Sequence, residues 1–241
     1  MLMLALESSA KAASAAVFED GVMLGVTVQN CGLTHSRTLL PMAENLLKNM
    51  DKTVRDISLV AVACGPGSFT GLRIGMAEAK GLCWALEIPA VGVSTLEAMA
   101  YGGPDMDGSM LCCAMDARRG QVYNALFRVE NGKPVRLTED RAISVKELEE
   151  ELIGYKTPWI LLGDGAALCY NTLDRERLSL HLAPEPLRIQ SARGVALAAL
   201  GKTPTDGAEL LPVYLRLSQA ERERQAREMQ TEKSSEKERK I

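Results

Sequence analysis

Aromatic residues are scarce in this sequence of 241 residues, and basic charge is not in excess. Aromatic side chains make up only 4%, so a core must be built from leucine, valine, alanine and methionine. The formal net charge is −3, whereas a protein that grips RNA alone usually presents a basic face. Composition therefore leaves only a local basic patch open as a way to bind nucleic acid unaided.

Histidine and paired cysteines are also in short supply. The only histidines are His35 and His181, so a His-Glu-x-x-His zinc site is absent. None of the six cysteines forms a Cys-x-x-Cys pair and most lie in apolar runs, which predicts buried thiols in a reducing compartment. A lone histidine such as His35 either orders a turn or performs chemistry, and the sequence leaves both roles open.

Long uncharged runs are missing as well. No such run is long enough to span a bilayer. The apolar stretch at residues 1–6 lacks a basic first region, and Glu7 ends it too early for a signal peptide. We therefore expect a cytoplasmic protein with no membrane partner.

The most informative segment that is present runs from Gly65 to Gly75, with the sequence GPGSFTGLRIG. It follows a predicted buried strand at 59–64 and precedes a predicted helix that reaches Ala85. Amides at the start of a helix can hold a phosphate or carboxylate, and glycines also let two backbones pack closely. The spacing matches neither the P-loop nor the dinucleotide pattern, so both uses stay open.

The chain repeats one pattern twice. The first unit has a strand at 2–6 and a hairpin around Asp20-Gly21, and the second begins at residue 110 after a boundary at 101–109. Helix starts are predicted after the capping residues Thr38, Ser94, Ser144 and Ser191. The pattern predicts an α/β protein of two lobes, each built on a mixed β-sheet flanked by helices.

We expect the first lobe to span residues 1–102, completed by 190–217, and the second to span 103–189. The last segment, 218–241, mixes lysine and arginine with nearly as many glutamates and has almost no apolar residue. A solvated helix or a disordered tail is expected there. An arm that touches RNA is less favoured, because glutamate matches the basic charge.

Six ordered motifs together resemble the TsaB (YeaZ) family. They are Leu6-Glu7-Ser8-Ser9, Thr34–Arg37 with Leu40-Pro41, Gly65–Gly75, Gly92–Glu97, Asp116–Gly120 and Pro212–Arg216. The resemblance covers residues 1 to about 216. It implies an actin-like fold, shared with acetate kinase, sugar kinases and Hsp70 (the ASKHA group).

The resemblance also implies a role without catalysis. A family member is a scaffold or activator subunit that pairs with its catalytic relative TsaD, which transfers threonylcarbamoyl to N6 of adenosine 37 in tRNA. The ATPase TsaE joins the complex, and tRNA is met only through it. Alone, the chain is expected to form a homodimer that exchanges into a heterodimer with TsaD. The resemblance implies no metal and no cofactor, apart from weak ATP or ADP binding.

Two departures from related sequences bear on chemistry. In TsaD, the segment resembling Val93–Met99 carries a His-x-x-x-His pair that binds a metal. The matching positions here are Thr95 and Met99, and neither replaces an imidazole. Most relatives also begin their first motif with Asp-Thr-Ser, whereas Glu7 stands here, which weakens the case for tight ATP binding.

The resemblance further implies a cleft for a nucleotide or phosphate between the lobes. Its serines either contact the ligand or only cap the end of a strand. The Asp116–Gly120 turn either holds a phosphate or pairs its own charges. The candidate residues are Glu7, Ser8, Ser9, Asp116, Arg118, Gly163 and Gly165.

Two helix faces of the first lobe are candidate partner surfaces. One carries an apolar stripe and the other a ladder of small residues. We expect both to join a four-helix contact with a like subunit, unless they serve only the core of the monomer. The residues are Leu39, Ala43, Leu46, Leu47, Met50, Gly71, Gly75, Ala79 and Leu82. A charged substitution at Ala43 or Gly75 should then abolish pairing and leave the fold intact.

Two enzymatic functions compete with the scaffold role. One is an ATP-dependent small-molecule kinase of the same fold, and the other is a peptidase. The missing histidine pair argues against the peptidase. Glu7, and the lack of a clear carboxylate base near a phosphate loop, argue against the kinase.

Overall fold

The computed structural model describes residues 1–216, which fold into two β-sheets with helices on their faces. The strands are β1 Leu2–Glu7, β2 Ala13–Glu19, β3 Val22–Gln29, β4 Leu59–Gly65, β5 Ala90–Ser94, β6 Met110–Asp116, β7 Gln121–Glu130, β8 Lys133–Arg136, β9 Arg141–Ser144, β10 Trp159–Leu162 and β11 Leu180–Leu182. The helices are α1 His35–Lys48, α2 Phe69–Leu86, α3 Thr95–Gly102, α4 Val145–Gly154, α5 Ala166–Thr172, α6 Glu185–Arg188 and α7 Ala192–Ala199. The tail predicted for 218–241 lies outside the described residues.

The first sheet has the strand order β3-β2-β1-β4-β5. Strands β1 to β3 are antiparallel neighbours, whereas β4 runs parallel to β1 and β5 parallel to β4. The β2–β3 hairpin turns at Asp20 (φ 49°) and Gly21 (φ 82°), the left-handed conformation that an Asp-Gly turn favours. The predicted hairpin is confirmed.

The second sheet repeats this arrangement in the order β11-β10-β6-β7-β8, with β9 also paired to β7. Strands β6 and β7 are antiparallel, and β10 and β11 run parallel to β6. Each sheet thus has a central strand with a hairpin on one side and parallel strands on the other. This duplicated mixed-sheet topology confirms the predicted two-lobed actin-like fold.

Each face of the first sheet is covered by helices. Side chains alternate along β1, so that Leu4 and Leu6 face α1 and α2 while Met3 and Ala5 face α7. Helix α3 packs against α7 on the first sheet, and its Leu96 also joins the core of the second. Because α3 belongs to both cores, it joins the lobes.

The C-terminal part of the described chain returns to the first lobe. Helix α7 packs on β1, β2 and β4, and the Val213 amide donates a hydrogen bond of 2.7 Å to the Cys64 carbonyl oxygen. If residues 190–217 complete the first lobe, contacts of this kind are required. The lobe limits at residues 102 and 189 stay a prediction.

The start of α1 differs from its prediction. Helix α1 begins at His35 after the N-cap Thr34, so the expectation that Thr38 caps a helix starting at Leu39 is wrong. The Thr38 hydroxyl instead donates to the Thr34 carbonyl oxygen one turn earlier, at 3.3 Å. The ring of His35 bonds the Ala10 carbonyl oxygen at 2.7 Å and so anchors this extra first turn to the β1–β2 connection.

The other predicted caps are found where expected. The Ser94 hydroxyl accepts from the Glu97 amide at 3.2 Å and begins α3. A complete capping box between Ser144 and Glu147 begins α4. Ser191 caps α7 by accepting from the Arg193 amide. No helix within residues 1–216 combines the length and apolar composition needed to cross a membrane.

All six cysteines are free thiols. Four are buried and Cys64 is half-buried, as their apolar surroundings predicted, whereas Cys31 is exposed. Burial raises the pKa of the Cys64 thiol to about 11, which keeps it protonated and unreactive at neutral pH.

Candidate interlobe cleft and partner face

The glycine-rich segment packs against the end of β1. A Cβ at Gly71 would overlap the Ser8 carbonyl oxygen, and one at Gly75 would overlap the Ser8 hydroxyl. An added Cβ at Gly67 would lie 2.5 Å from the Ser9 carbonyl oxygen. Gly67 and Gly71 therefore let the backbone of this segment pack closely against the backbone of Ser8 and Ser9. This is one of the two uses that the sequence left open. Phosphate binding by this turn stays a prediction.

Glu7 ends β1 as a fully buried carboxyl group. Its Oε1 accepts a hydrogen bond of 2.6 Å from the Ser9 amide. Its Oε2 and the Ser9 hydroxyl are both buried without a hydrogen-bond partner among residues 1–216. Burial raises the pKa of Glu7 from 4.5 to about 7, and the nearby Asp164 carboxylate adds to the rise.

The raised pKa of Glu7 has a consequence for stability. Between pH 4.5 and pH 7 the folded protein holds a proton on Glu7 that the unfolded chain has already lost. The free energy of unfolding therefore falls as pH rises through this window, and this contribution levels off above it. Burial also raises the pKa of Glu78 to about 7, which acts in the same direction.

An open cleft of about 510 Å³ lies between the lobes. The β1–β2 connection and the start of α2 form one wall, and the β6–β7 turn forms the other. Of the predicted cleft residues, Ser9, Asp116 and Arg118 line it. The cleft is large enough for a ligand of nucleotide size.

Three predicted cleft residues have other structural roles. Ser8 is buried, and its hydroxyl donates to the Gly71 carbonyl oxygen at 2.9 Å. Gly163 packs against the Ala114 carbonyl oxygen, and a Cβ at Gly165 would lie 2.8 Å from the Met115 carbonyl carbon. The prediction that these residues line the cleft is wrong, because they bring backbones together beneath it. Glu7 is also buried beneath the cleft rather than exposed in it.

Sequence reasoning missed three charged cleft residues: Lys11, Asp164 and Arg216. Asp164 Oδ1 accepts a hydrogen bond of 2.9 Å from the side-chain amide of Gln190, and burial raises the pKa of Asp164. A signal for it was present, since an aspartate between two glycines follows a predicted strand. Lys11 and Arg216 are distant in sequence and line the same cleft only because the fold brings the segment before residue 216 back to the first lobe.

Arg118 lies in a tight turn that is held by a hydrogen bond within the turn. Its amide donates to Asp116 Oδ1 at 2.6 Å, so the aspartate orders the turn, one of the two roles expected for it. Arg118 (φ 64°) and Arg119 (φ 57°) both adopt the left-handed conformation, and Arg118 lines the cleft.

Most predicted partner-interface side chains lie inside the protomer. Six are buried, and the other three are partly buried against the same core of the first lobe. The buried ones are Leu39, Ala43, Leu47, Gly71, Gly75 and Ala79, and the partly buried ones are Leu46, Met50 and Leu82. The prediction that these stripes face a partner is wrong for the six buried residues, because they cover the first sheet. For the three partly buried residues it stays a prediction.

It follows that a charged substitution at Ala43 or Gly75 cannot leave the fold intact. Ala43 is 1% exposed, and the site of a Gly75 side chain is taken by Ser8. Either change would place a charge in the core of the first lobe.

The opposite face of α2 is the exposed one. Ala77, Gly81 and Ala85 recur every fourth residue and are all exposed, and nothing lies within 4 Å of a Cβ added at Gly81. Trp84 lies beside them with 86% of its surface exposed. We call these four residues the outer face of α2. Sequence reasoning missed it because two ladders of small residues run along the same helix.

Thr95 and Met99 pack in the core around α3. Thr95 is 0% and Met99 6% exposed. The Gln190 amide nitrogen lies 3.6 Å from Met99 Sδ, and a Cβ at Gly163 would lie 2.7 Å from the same sulfur. These side chains therefore fill space between the lobes.

Comparison with known proteins shows which family this chain is similar to. The family model described as "TsaD: tRNA N6-adenosine threonylcarbamoyltransferase" matches residues 21–181. A solved structure, YeaZ from Pseudomonas aeruginosa, has a TM-score of 0.74 at 25% identity, with 89% of this chain and 99% of that chain covered.

Curated relatives agree with the structural match. The Bacillus subtilis tRNA threonylcarbamoyladenosine biosynthesis protein TsaB is 33% identical over 92% of this chain and 96% of its own length. The Escherichia coli protein of the same name is 34% identical over 68% of this chain and 72% of its own length. The chain therefore belongs to the TsaB (YeaZ) family of tRNA threonylcarbamoyladenosine biosynthesis proteins.

Proposed function

We propose that this chain is a non-catalytic subunit that pairs with TsaD and supports threonylcarbamoyl transfer to N6 of adenosine 37 in tRNA. The observation that carries the proposal is the packing of Thr95 and Met99 in the core. The resemblance to TsaD matches these two positions with its metal-binding histidines. A chain that matches the transferase family model without these imidazoles is suited to pairing rather than to metal-dependent chemistry.

The outer face of α2 is the proposed pairing surface. Its small residues, Ala77, Gly81 and Ala85, let a second helix approach to the 8–10 Å that close packing requires. Helix α1 contacts α2 and widens the surface. Because TsaD is a relative, its equivalent helices can form a four-helix contact with these two.

The same surface accounts for the other proposed partners. Without TsaD, two copies pair through it as a homodimer, and TsaD replaces one copy to give the heterodimer. The ATPase TsaE and the tRNA join through this complex rather than by binding the isolated chain. The net charge of −3, with no basic excess, supports this order of assembly.

The kinase remains the second candidate because of the interlobe cleft. Lys11, Arg118 and Arg216 bring positive charge to its lining, which suits a phosphate group. The Glu7 carboxyl is fully buried beneath the cleft and does not line it, so it is not placed to hold a Mg²⁺ ion on a nucleotide there. We therefore propose weak ADP binding and no phosphoryl transfer.

Light scattering after size exclusion, together with ATP turnover, tests this choice. The chain alone should elute as a dimer of about 52 kDa, twice its 26.1 kDa. Adding TsaD should yield a heterodimer, and the purified chain should not turn over ATP with Mg²⁺. A constant monomer mass with and without TsaD would contradict the pairing role, and sustained ATP turnover would favour the kinase.

A further inference from the structure

An open depression of about 590 Å³ lies where α2 ends. Trp84 forms one side of it and is 86% exposed, whereas Trp159, the other tryptophan of the chain, is 0% exposed. Pro89 and Pro204 also line the depression. An indole ring this exposed on a folded domain is unusual, and it offers a flat apolar face to a binding partner.

The depression carries negative charge. Glu87 and Asp206 line it, and neither carboxylate forms an ion pair with any of residues 1–216. Asp206 Oδ1 accepts a hydrogen bond of 2.8 Å from the Ala208 amide, which leaves Oδ2 for a further donor. Helix α2 has no basic residue in its last turn, so the negative end of its dipole is not compensated there. Two carboxylates and a helix C-terminus thus point to a cation.

Two lysines that precede lining residues of the depression in sequence form contacts of their own. Lys80, one turn before Trp84, donates to the Ala208 carbonyl oxygen at 3.0 Å. Lys202 lies 3.0 Å from the Glu97 carboxylate. Neither lysine lines the depression or pairs with Glu87 or Asp206, so both carboxylates stay open to a cation from outside the described residues.

We propose that this depression binds an arginine side chain of TsaD. A guanidinium stacks flat on an indole ring and donates hydrogen bonds to carboxylates beside it, which is the pairing that Trp84, Glu87 and Asp206 offer. Trp84 is also continuous with Gly81 and Ala85 on the outer face of α2. The arginine would anchor one end of the helix pairing, so this inference rests on the proposed function.

Fluorine NMR of the full chain labelled with 5-fluorotryptophan tests the contact directly. The chain has only two tryptophans, so it gives two resonances, and Trp84→Phe assigns them. Adding unlabelled TsaD should shift the Trp84 resonance and reduce its H₂O/D₂O isotope shift, while the Trp159 resonance stays in place. A Trp84 resonance that is unmoved at saturating TsaD would overturn the inference and leave the pairing role standing.

Variant affinities separate the ring from the charges. Trp84→Ala should raise the Kd for TsaD about tenfold. Glu87→Gln removes one charge and keeps the shape, so it should raise the Kd severalfold at low salt and flatten its dependence on NaCl. Glu150→Gln, an exposed position on α4 in the second lobe, is the matched control and should change neither.

The remaining outcomes each decide a separate point. No binding of wild-type chain to TsaD overturns both the proposed function and this inference. Binding with unchanged Kd in Trp84→Ala and Glu87→Gln overturns the inference alone. A Trp84 resonance that shifts with the concentration of the chain alone, but not with TsaD, would assign the depression to a second copy and also overturn it.

Discussion

Replacing Gly81 with arginine separates the folding role of α2 from its proposed pairing role. Gly81 is exposed in the middle of the helix, and a Cβ there meets no atom within 4 Å. Arginine is a better helix former than glycine, so the isolated protomer should gain about 0.5–1 kcal/mol of stability. For a protein of this size that gain raises Tm by roughly 1–4 °C.

Whereas the stability of the protomer should rise, its affinity for TsaD should fall. If a partner helix packs on the outer face, the new guanidinium must be buried without a partner or must hold the helices apart. An uncompensated buried charge costs on the order of 3 kcal/mol or more, which weakens binding at least about a hundredfold. The variant should therefore be more stable and yet unable to pair.

The assay is a thermal melt combined with calorimetric titration of TsaD. Gly154→Arg is a matched control, because Gly154 is also an exposed helical glycine with open space at its Cβ, but it ends α4 in the second lobe. The control should keep wild-type affinity. Wild-type affinity in Gly81→Arg, with a normal melt, would refute the assignment of the outer face as the pairing surface.

Three further substitutions test the roles assigned above. Gly75→Ala should destabilise the fold by about 1–3 kcal/mol in urea denaturation, because its methyl group overlaps the Ser8 hydroxyl; an unchanged midpoint would show that this hydroxyl is not held against Gly75. Glu7→Gln should remove a pH-dependent loss of stability approaching roughly 3 kcal/mol between pH 4.5 and 8, and an unchanged pH profile would mean that Glu7 has an ordinary pKa. Ser144→Ala removes the cap of α4 and should lower the free energy of unfolding by about 1 kcal/mol without changing the Kd for TsaD; a changed Kd would place the second lobe in the interface.

Much of the fold was predictable because local signals agreed with it. Continuous apolar runs marked β1, β4 and β6, which are buried on both faces, and Asp20-Gly21 marked the hairpin. Three of the four predicted caps are found in the structure. The short strands β8, β9 and β11 were missed because they contain only three or four residues each and owe their form to pairing with longer neighbours.

The candidate surfaces were harder to predict, since both sides of α2 carry small residues at helical spacing. Sequence periodicity finds Gly71 and Gly75 as readily as Ala77 and Gly81, and only contact with Ser8 shows which pair faces inward. The residues of the cleft were also hard to predict from the sequence. Asp164 raises the pKa of Glu7 electrostatically from the other lobe, an effect that no local pattern records.

The most direct test of the account is the amount of threonylcarbamoyladenosine formed on tRNA in a reconstituted reaction. The reaction contains tRNA and threonylcarbamoyl adenylate as the donor of the threonylcarbamoyl group. It is run with TsaD alone, with this chain alone and with both proteins together. We predict no product from this chain alone and a clear increase when it is added to TsaD. Product formed by this chain without TsaD, or a TsaD rate that does not change on its addition, would contradict the account.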